Sequence, residues 1–142
     1  MKNQTKWYSG QVTHEGFPLY LRFPEKPNFE ELSKLYPKLL WIEHSLDKVQ
    51  EDGSPEKDYN SSLIDFDGEV IDLFNEDKTG ITVLVETFAG KRTYYIYTSE
   101  ESTRSKTNQL KQKYPEHTLE FGSQSDQNWE FIKNYSTDFN FY

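Results

Sequence analysis

Two β-forming runs, Ile81 to Phe88 and Arg92 to Thr98, are separated only by Ala89, Gly90 and Lys91. Both are crowded with β-branched and aromatic residues, which suit a pleated surface, and so short a glycine-bearing connection leaves antiparallel pairing as the outcome. A tight hairpin therefore occupies the second half of the chain. Alternation places Ile81, Val83 and Val85 on one face of its first strand and Leu84 on the other.

The remaining elements are ordered around it. Trp7 to Val12 and Pro18 to Phe23, separated by His14, Glu15 and Gly16, read as a second hairpin, with Leu19, Leu21 and Phe23 on one face. Pro24 and Pro27 break pairing, and Phe29, Leu32, Leu35 and Tyr36 have the spacing of a short helix that Pro37 stops. From Lys38 to Leu46, Leu39, Trp41 and Glu43 alternate with Leu40, Ile42 and His44. Apolar residues on both faces mark a covered, central strand. Asp47 to Asn60 is the most polar stretch and reads as an exposed, mobile loop. Ser61 or Ser62 is placed to cap a helix, with Asp65 in a capping-box position and Leu63, Phe66, Val70, Leu73 and Phe74 as its buried stripe. Ser99 opens a further helix with Glu100 and Glu101, which runs to Tyr114 before Pro115. Its stripe is thin, only Leu110 and Tyr114. Thr118 to Phe121 suits a short edge strand, and Asp126 a cap for a last helix carrying Trp129, Phe131, Ile132 and Tyr135. The aromatic tail of Phe139, Phe141 and Tyr142 is expected to dock.

Composition decides whether such a chain folds at all. Only 34% of the residues are hydrophobic and mean hydropathy is −0.92, values that alone suit disorder. Ten Tyr, ten Phe and three Trp argue otherwise, because each buries a large area and disordered chains are poor in them. At 142 residues the chain suits a single domain spanning 1–142. Cysteine is absent, which excludes disulfides, thiolate metal sites and cysteine nucleophiles. A net charge of −8 repels phosphate backbones and anionic headgroups, so nucleic acid and membranes are poor partners. No signal-like or membrane-spanning apolar stretch occurs, and a cytoplasmic location is expected.

The fold class is α+β. Setting aside the first hairpin, the short helix and the last helix leaves strand, helix, strand, strand, helix, strand, the order of a ferredoxin-like sandwich (a βαββαβ core). The strand Pro18 to Phe23, the strand Leu40 to Glu43, the hairpin Val83 to Tyr97 turning at Gly90, and Tyr114 and Pro115 followed by Asp126 and Trp129 together resemble the family of unknown function DUF695. The resemblance implies small bacterial proteins with a ferredoxin-like core. It implies, through a distant likeness to a fold used by a protein inhibitor of an RNA-degrading enzyme, a protein partner, and it transfers no catalytic residue.

Chemistry is sparse. His14, His44 and His117 lie far apart in sequence, without the clustering of a zinc site, so no metal is expected. Asn75, Asp77, Thr79, Gly80 and Glu86 match the spacing of a calcium loop, but Ile81 to Val85 forms a strand where such a loop requires a helix, and an ordinary helix-to-strand turn is the better reading. Paired carboxylates such as Asp65 with Asp67 and Glu69 are plentiful, and Asp65, Glu69 and Asp72 recur three or four apart on the outward side of a helix, in the manner of a solvated face. No nucleophile elbow, phosphate loop or cofactor motif is present. The expectation is a protein-interaction or regulatory module, monomer or homodimer, whose acidic surface steers a basic protein partner. The alternative is a hydrolase-like enzyme with a carboxylate and tyrosine pocket on the sheet. The residues singled out for these roles are Trp129, Asp126, Tyr95, Tyr97, Glu86 and Glu43. Trp129 is a candidate interface anchor, and Tyr95 and Tyr97 share one strand face.

Overall fold

The computed structural model describes residues 6–99 and 103–142. Among these, six strands and five helices follow one another as β1 (Trp7–His14), β2 (Phe17–Pro24), α1 (Phe29–Leu35), β3 (Lys38–Ser45), α2 (Lys57–Ser62), α3 (Ile64–Asp72), β4 (Gly80–Phe88), β5 (Lys91–Thr98), α4 (Thr103–Lys113), β6 (Thr118–Ser125) and α5 (Glu130–Asp138). The strands form one antiparallel sheet in the order β1-β2-β4-β5-β3-β6. The fold is α+β. As a whole this order is not that of a simple ferredoxin sheet, because β1 and β2 extend it beyond β4.

Alternation on the central strands feeds two cores. Leu40, Ile42, Val85, Tyr94 and Ile96 lie under Phe66, Val70 and Phe74 of α3 and its exit and under Leu110 of α4. On the opposite face Leu39, Val83, Leu84 and Tyr97, with Leu19 and Leu21 of β2, meet Trp129 and Ile132 at the start of α5. Phe29 and Leu32 of α1 and the tail residues Phe139, Phe141 and Tyr142 pack against that second core, so the tail docks as expected. Covering both faces explains how a chain so poor in aliphatic residues folds: aromatic rings supply the area.

Several local expectations are corrected. The pairing of β4 with β5 shifts between Thr82 and Leu84, so Val83 is a bulge. Beyond it the alternation changes phase: Ile81, Val83 and Leu84 share the second core while Val85 belongs to the first. Leu35, expected in a buried stripe, is 56% exposed. Asp47 to Asn60 is not an open loop. The Asp52 carboxylate accepts from the Ser54 backbone N–H at 2.9 Å and its hydroxyl at 2.5 Å, Gly90 N–H donates to Gly53 O at 2.9 Å, and α2 already begins at Lys57. Gly53, at φ +83°, is required there, because a Cβ would stand 2.8 Å from Ala89 Cα. No capping box forms at Ser61 or Ser62. Ser62 ends α2 with its hydroxyl on Tyr59 O at 2.5 Å, and Leu63 joins the two helices. The helix opening expected at Ser99, Glu100 and Glu101 runs into residues outside those described. The edge strand is longer than Thr118 to Phe121, because Gly122 lets β6 continue against the Trp41 indole, where a Cβ would come within 2.2 Å of the ring.

Candidate functional site: a cleft under the first hairpin

The covering helices stop short of the hairpin. On β2, Leu19 and Leu21 point into the second core, so Tyr20 and Arg22 alternate to the α3 side, beside their β1 partners Gln11 and Ser9. α3 shields β3, β4 and β5 and leaves this overhang open. The step between overhang and helix is a cleft of about 650 Å³, walled by Gln50, Ser54 and Asn60 and by Ile64, and floored by Arg22, Asp67, Thr87 and Arg92.

The floor is an ionic network. Arg22 Nη1 and Nη2 donate as a fork to both oxygens of Asp67, at 2.8 and 2.7 Å. Tyr94 Oη donates to Asp67 Oδ1 at 2.7 Å. Arg92, buried at the start of β5, donates through Nε to Thr87 Oγ1 and through Nη2 to Asn60 Oδ1, both at 2.9 Å. Its Nη1 stands 4.0 Å from Asp67 Oδ1, beyond hydrogen-bond reach. Burial alone would raise the Asp67 carboxyl. The hydrogen bonds and charge of Arg22, with Tyr94 and Arg92 behind them, outweigh it and hold the group below its ordinary value. Burial, then the neighbouring Asp67 charge, pushes the Tyr94 phenol well up, so it stays a neutral donor. Two guanidinium groups thus share one carboxylate, leaving one excess positive charge on the floor.

From the sequence, Asp67 stood only as one of many paired carboxylates, with no role of its own. The missed signal was helical spacing: Asp67 is four residues after Leu63 and three before Val70, both on the buried stripe. Arg92 was legible too, since it alternates in register with the buried Tyr94 and Ile96.

The six residues singled out from the sequence lie elsewhere. Trp129 is 0% exposed, stacked on Tyr97 with ring centres 4.2 Å apart, and its Nε1 donates to Tyr36 O at 2.8 Å. Tyr97 Oη donates to Asp126 Oδ2 at 2.6 Å, and the Asp126 carboxylate accepts from Glu130 N–H at 2.9 Å and Phe131 N–H at 3.0 Å, the capping role expected of it. Tyr95 packs on Phe131, Tyr135 Oη donates to Glu86 Oε2 at 2.5 Å, and Glu43 pairs with Lys91 at 2.9 Å. The structure thus unites Trp129, Tyr97 and Asp126, and places Tyr95, Glu86 and Glu43 along the same sheet face in separate contacts. Burial first, then nearby carboxylates, raises the phenols of Tyr95, Tyr97 and Tyr135 above the ordinary tyrosine range. These groups fasten α5 to the sheet. None of the six lines the hairpin cleft or a second opening of about 690 Å³ between α1 and the start of α5.

The histidines need one correction. His44 and His117, distant in sequence, are brought together by the pairing of β3 with β6, with rings 4.8 Å apart beside Phe66. Both His44 nitrogens and His117 Nδ1 are buried without a hydrogen-bond partner among the described residues. Burial, then the His117 and Arg92 charges, lowers the His44 pKa to about 4. The calcium-like residues do not converge: Asp77 pairs with Lys106 at 2.6 Å and accepts from Thr79 at 2.6 Å, while Glu86 is held by Tyr135. Among the described residues no group of three or more His, Cys, Asp or Glu is placed to hold a metal ion, and no helix is long and apolar enough to cross a membrane.

No curated protein and no solved structure matches the chain. Residues 5–135, nearly its whole length, match the profile of a family of unknown function, and the chain is therefore a member of the DUF695 family.

Proposed function

We propose that the protein is an interaction module of the cytoplasm that takes an extended, basic segment of a protein partner into the hairpin cleft. The observation that carries this reading is the charge of the cleft's outer wall. Exposed Asp47, Glu51, Asp52, Glu56, Asp58 and Asp65 flank the lining residues of the segment from 47 to 65, against only Lys48 and Lys57. Such a wall attracts lysine and arginine side chains and repels nucleic acid, in keeping with the net charge of −8. β1, at the end of the sheet and paired among the described residues only with β2, offers main-chain groups along the cleft mouth for an added strand. With β1 and β2 set aside, the order β4-β5-β3-β6 and the helices between these strands support a ferredoxin-like core on which the hairpin and α5 are additions.

A display screen of random peptides against the immobilised protein tests the reading, with the triple variant D52K, D58K and D65K as counter-screen. Enrichment of lysine- and arginine-rich peptides that is lost in the counter-screen and weakens with salt is the expected result. Enrichment without charge preference, or equal retention by the variant, refutes it.

A further inference from the structure

The floor of the cleft carries the opposite sign from its wall, and the excess is concentrated on one side chain. Both oxygens of Asp67 are taken by the Arg22 fork, and Arg92, with a side chain 9% exposed, reaches that carboxylate only at 4.0 Å. A buried cation ordinarily has its own counter-charge. Arg92 is instead held by two neutral acceptors, Thr87 and Asn60, which fix the plane of its guanidinium without neutralising it. Arg22 is a third exposed, and the two guanidinium groups bracket the same Asp67 oxygen at 2.7 and 4.0 Å.

We infer that the cleft floor is a carboxylate site, in which Arg92 Nη1 and the exposed side of Arg22 hold one carboxylate group of the partner segment. Planar guanidinium groups fit a planar carboxylate through paired hydrogen bonds, which an ammonium cannot reproduce. Charge balance selects the ligand. One monoanion neutralises the single excess positive charge, whereas a phosphate dianion would leave surplus negative charge beside Asp67 and beneath an acidic wall. The partner segment is therefore basic along its length and carries one carboxylate where it crosses the floor, either its chain terminus or an Asp or Glu side chain. The inference rests on the reading that the cleft is the binding site.

Two measurements on the intact chain test it. The arginine Nε–H resonances of Arg22 and Arg92 and the side-chain amide of Asn60 are followed by NMR while acetate, then inorganic phosphate, is added at constant ionic strength with chloride as control. A saturable acetate shift centred on Arg92, weakened about tenfold or more in R92K, is expected, since the fork and not the charge is at stake. R22K serves in the same way should R92K fail to fold. Absence of a saturable shift, tighter binding of phosphate than of acetate, or full retention in the lysine variants overturns the site. Three lysine-rich peptides then separate the sources: one with a free C-terminus, one amidated with an internal Glu, and one amidated without any carboxylate. Tighter binding of either of the first two supports the site and names the source. Equal binding of all three overturns the carboxylate site and leaves the cleft reading standing, and no binding by any overturns both.

Discussion

Acidification should weaken this fold well before its carboxylates titrate, and His44 is the reason. The ring is 0% exposed between Phe66 and His117, neither of its nitrogens has a partner among the described residues, and its pKa is lowered to about 4. Burial is the main cause, followed by the charges of His117 and Arg92, which outweigh those of Asp47 and Asp67. An unfolded histidine titrates near 6.5, so between that pH and 4 the unfolded chain holds a proton that the native state refuses. Stability contributed by the neutral ring is whole above pH 6.5 and drains away as pH falls toward 4. At about 1.4 kcal/mol per pH unit the full effect reaches up to about 3 kcal/mol, of which about 2 kcal/mol falls between pH 7 and pH 5. A domain stable by some 5–15 kcal/mol shows such a change plainly. Urea unfolding of the wild type and of H44L at pH 7, 6 and 5 isolates the effect of His44 together with its contact to His117, and the lowered carboxyls of Asp67, Glu69 and Asp77 titrate below this window. The wild type should lose about 2 kcal/mol more than H44L across that range. Parallel curves for the two proteins would refute the reasoning.

Asp67→Ala leaves Arg22 and Arg92 without their shared counter-charge and removes the acceptor of Tyr94, so it should cost about 3 kcal/mol in urea unfolding at pH 7. A loss below about 0.5 kcal/mol would show the network to be loosely coupled to the fold. Asp126→Ala removes the side-chain acceptor of two backbone N–H groups at the start of α5 and the Tyr97 contact, for an expected loss of about 2 kcal/mol. Asp126→Asn should restore part of it. Gly122→Val drives a branched side chain into the Trp41 indole, and a lowered melting temperature with a shifted tryptophan emission is the expected signature. Millimolar calcium should leave the melting temperature unchanged, since Asp77 and Glu86 are engaged with Lys106 and Tyr135 on separate parts of the surface.

Elements were legible where side-chain periodicity and punctuation agreed. The Ala89–Gly90 turn, the alternation of Leu39 and Trp41 against Leu40 and Ile42, and the carboxylate of Asp126 ahead of α5 could all be taken from the residues because each is a local rule. Failures came where a distant contact overrode a local one. Val83 looks like any strand valine, and only the shift in pairing between β4 and β5 reveals the bulge. Ser61 and Ser62 have the chemistry of caps, yet the preceding polar residues fold into α2, in a segment where Gly53 is pinned against the Ala89–Gly90 turn and Ser54 is held by Asp52. The site was obscured for the same reason. Arg22, Asp67 and Arg92 come from three elements separated by 45 and 25 positions, and nothing in the local sequence of any one names the others.

The placement of the cleft follows from the way both faces of the sheet are used. On a sheet with one bare face, the aromatic row of Tyr95 and Tyr97 would be the natural platform for a ligand. Here α5 and the tail close over that row, and the polar tips are consumed in fastening them: Tyr97 to Asp126, Tyr135 to Glu86, Trp129 to Tyr36. On the other face α3 and α4 seal the first core. The hairpin strands β1 and β2 are the part of the sheet that outruns the helices, and β1 is exposed along almost its whole length. Polar side chains on this overhang therefore keep both solvent and a fixed backbone register, the two conditions a binding site needs. The residue that ties overhang to core is Arg22, since its fork onto Asp67 spans the step between sheet edge and helix. A change there alters the shape of the cleft and the docking of the hairpin together, so the proposed binding and the local stability at this edge are coupled through one ion pair.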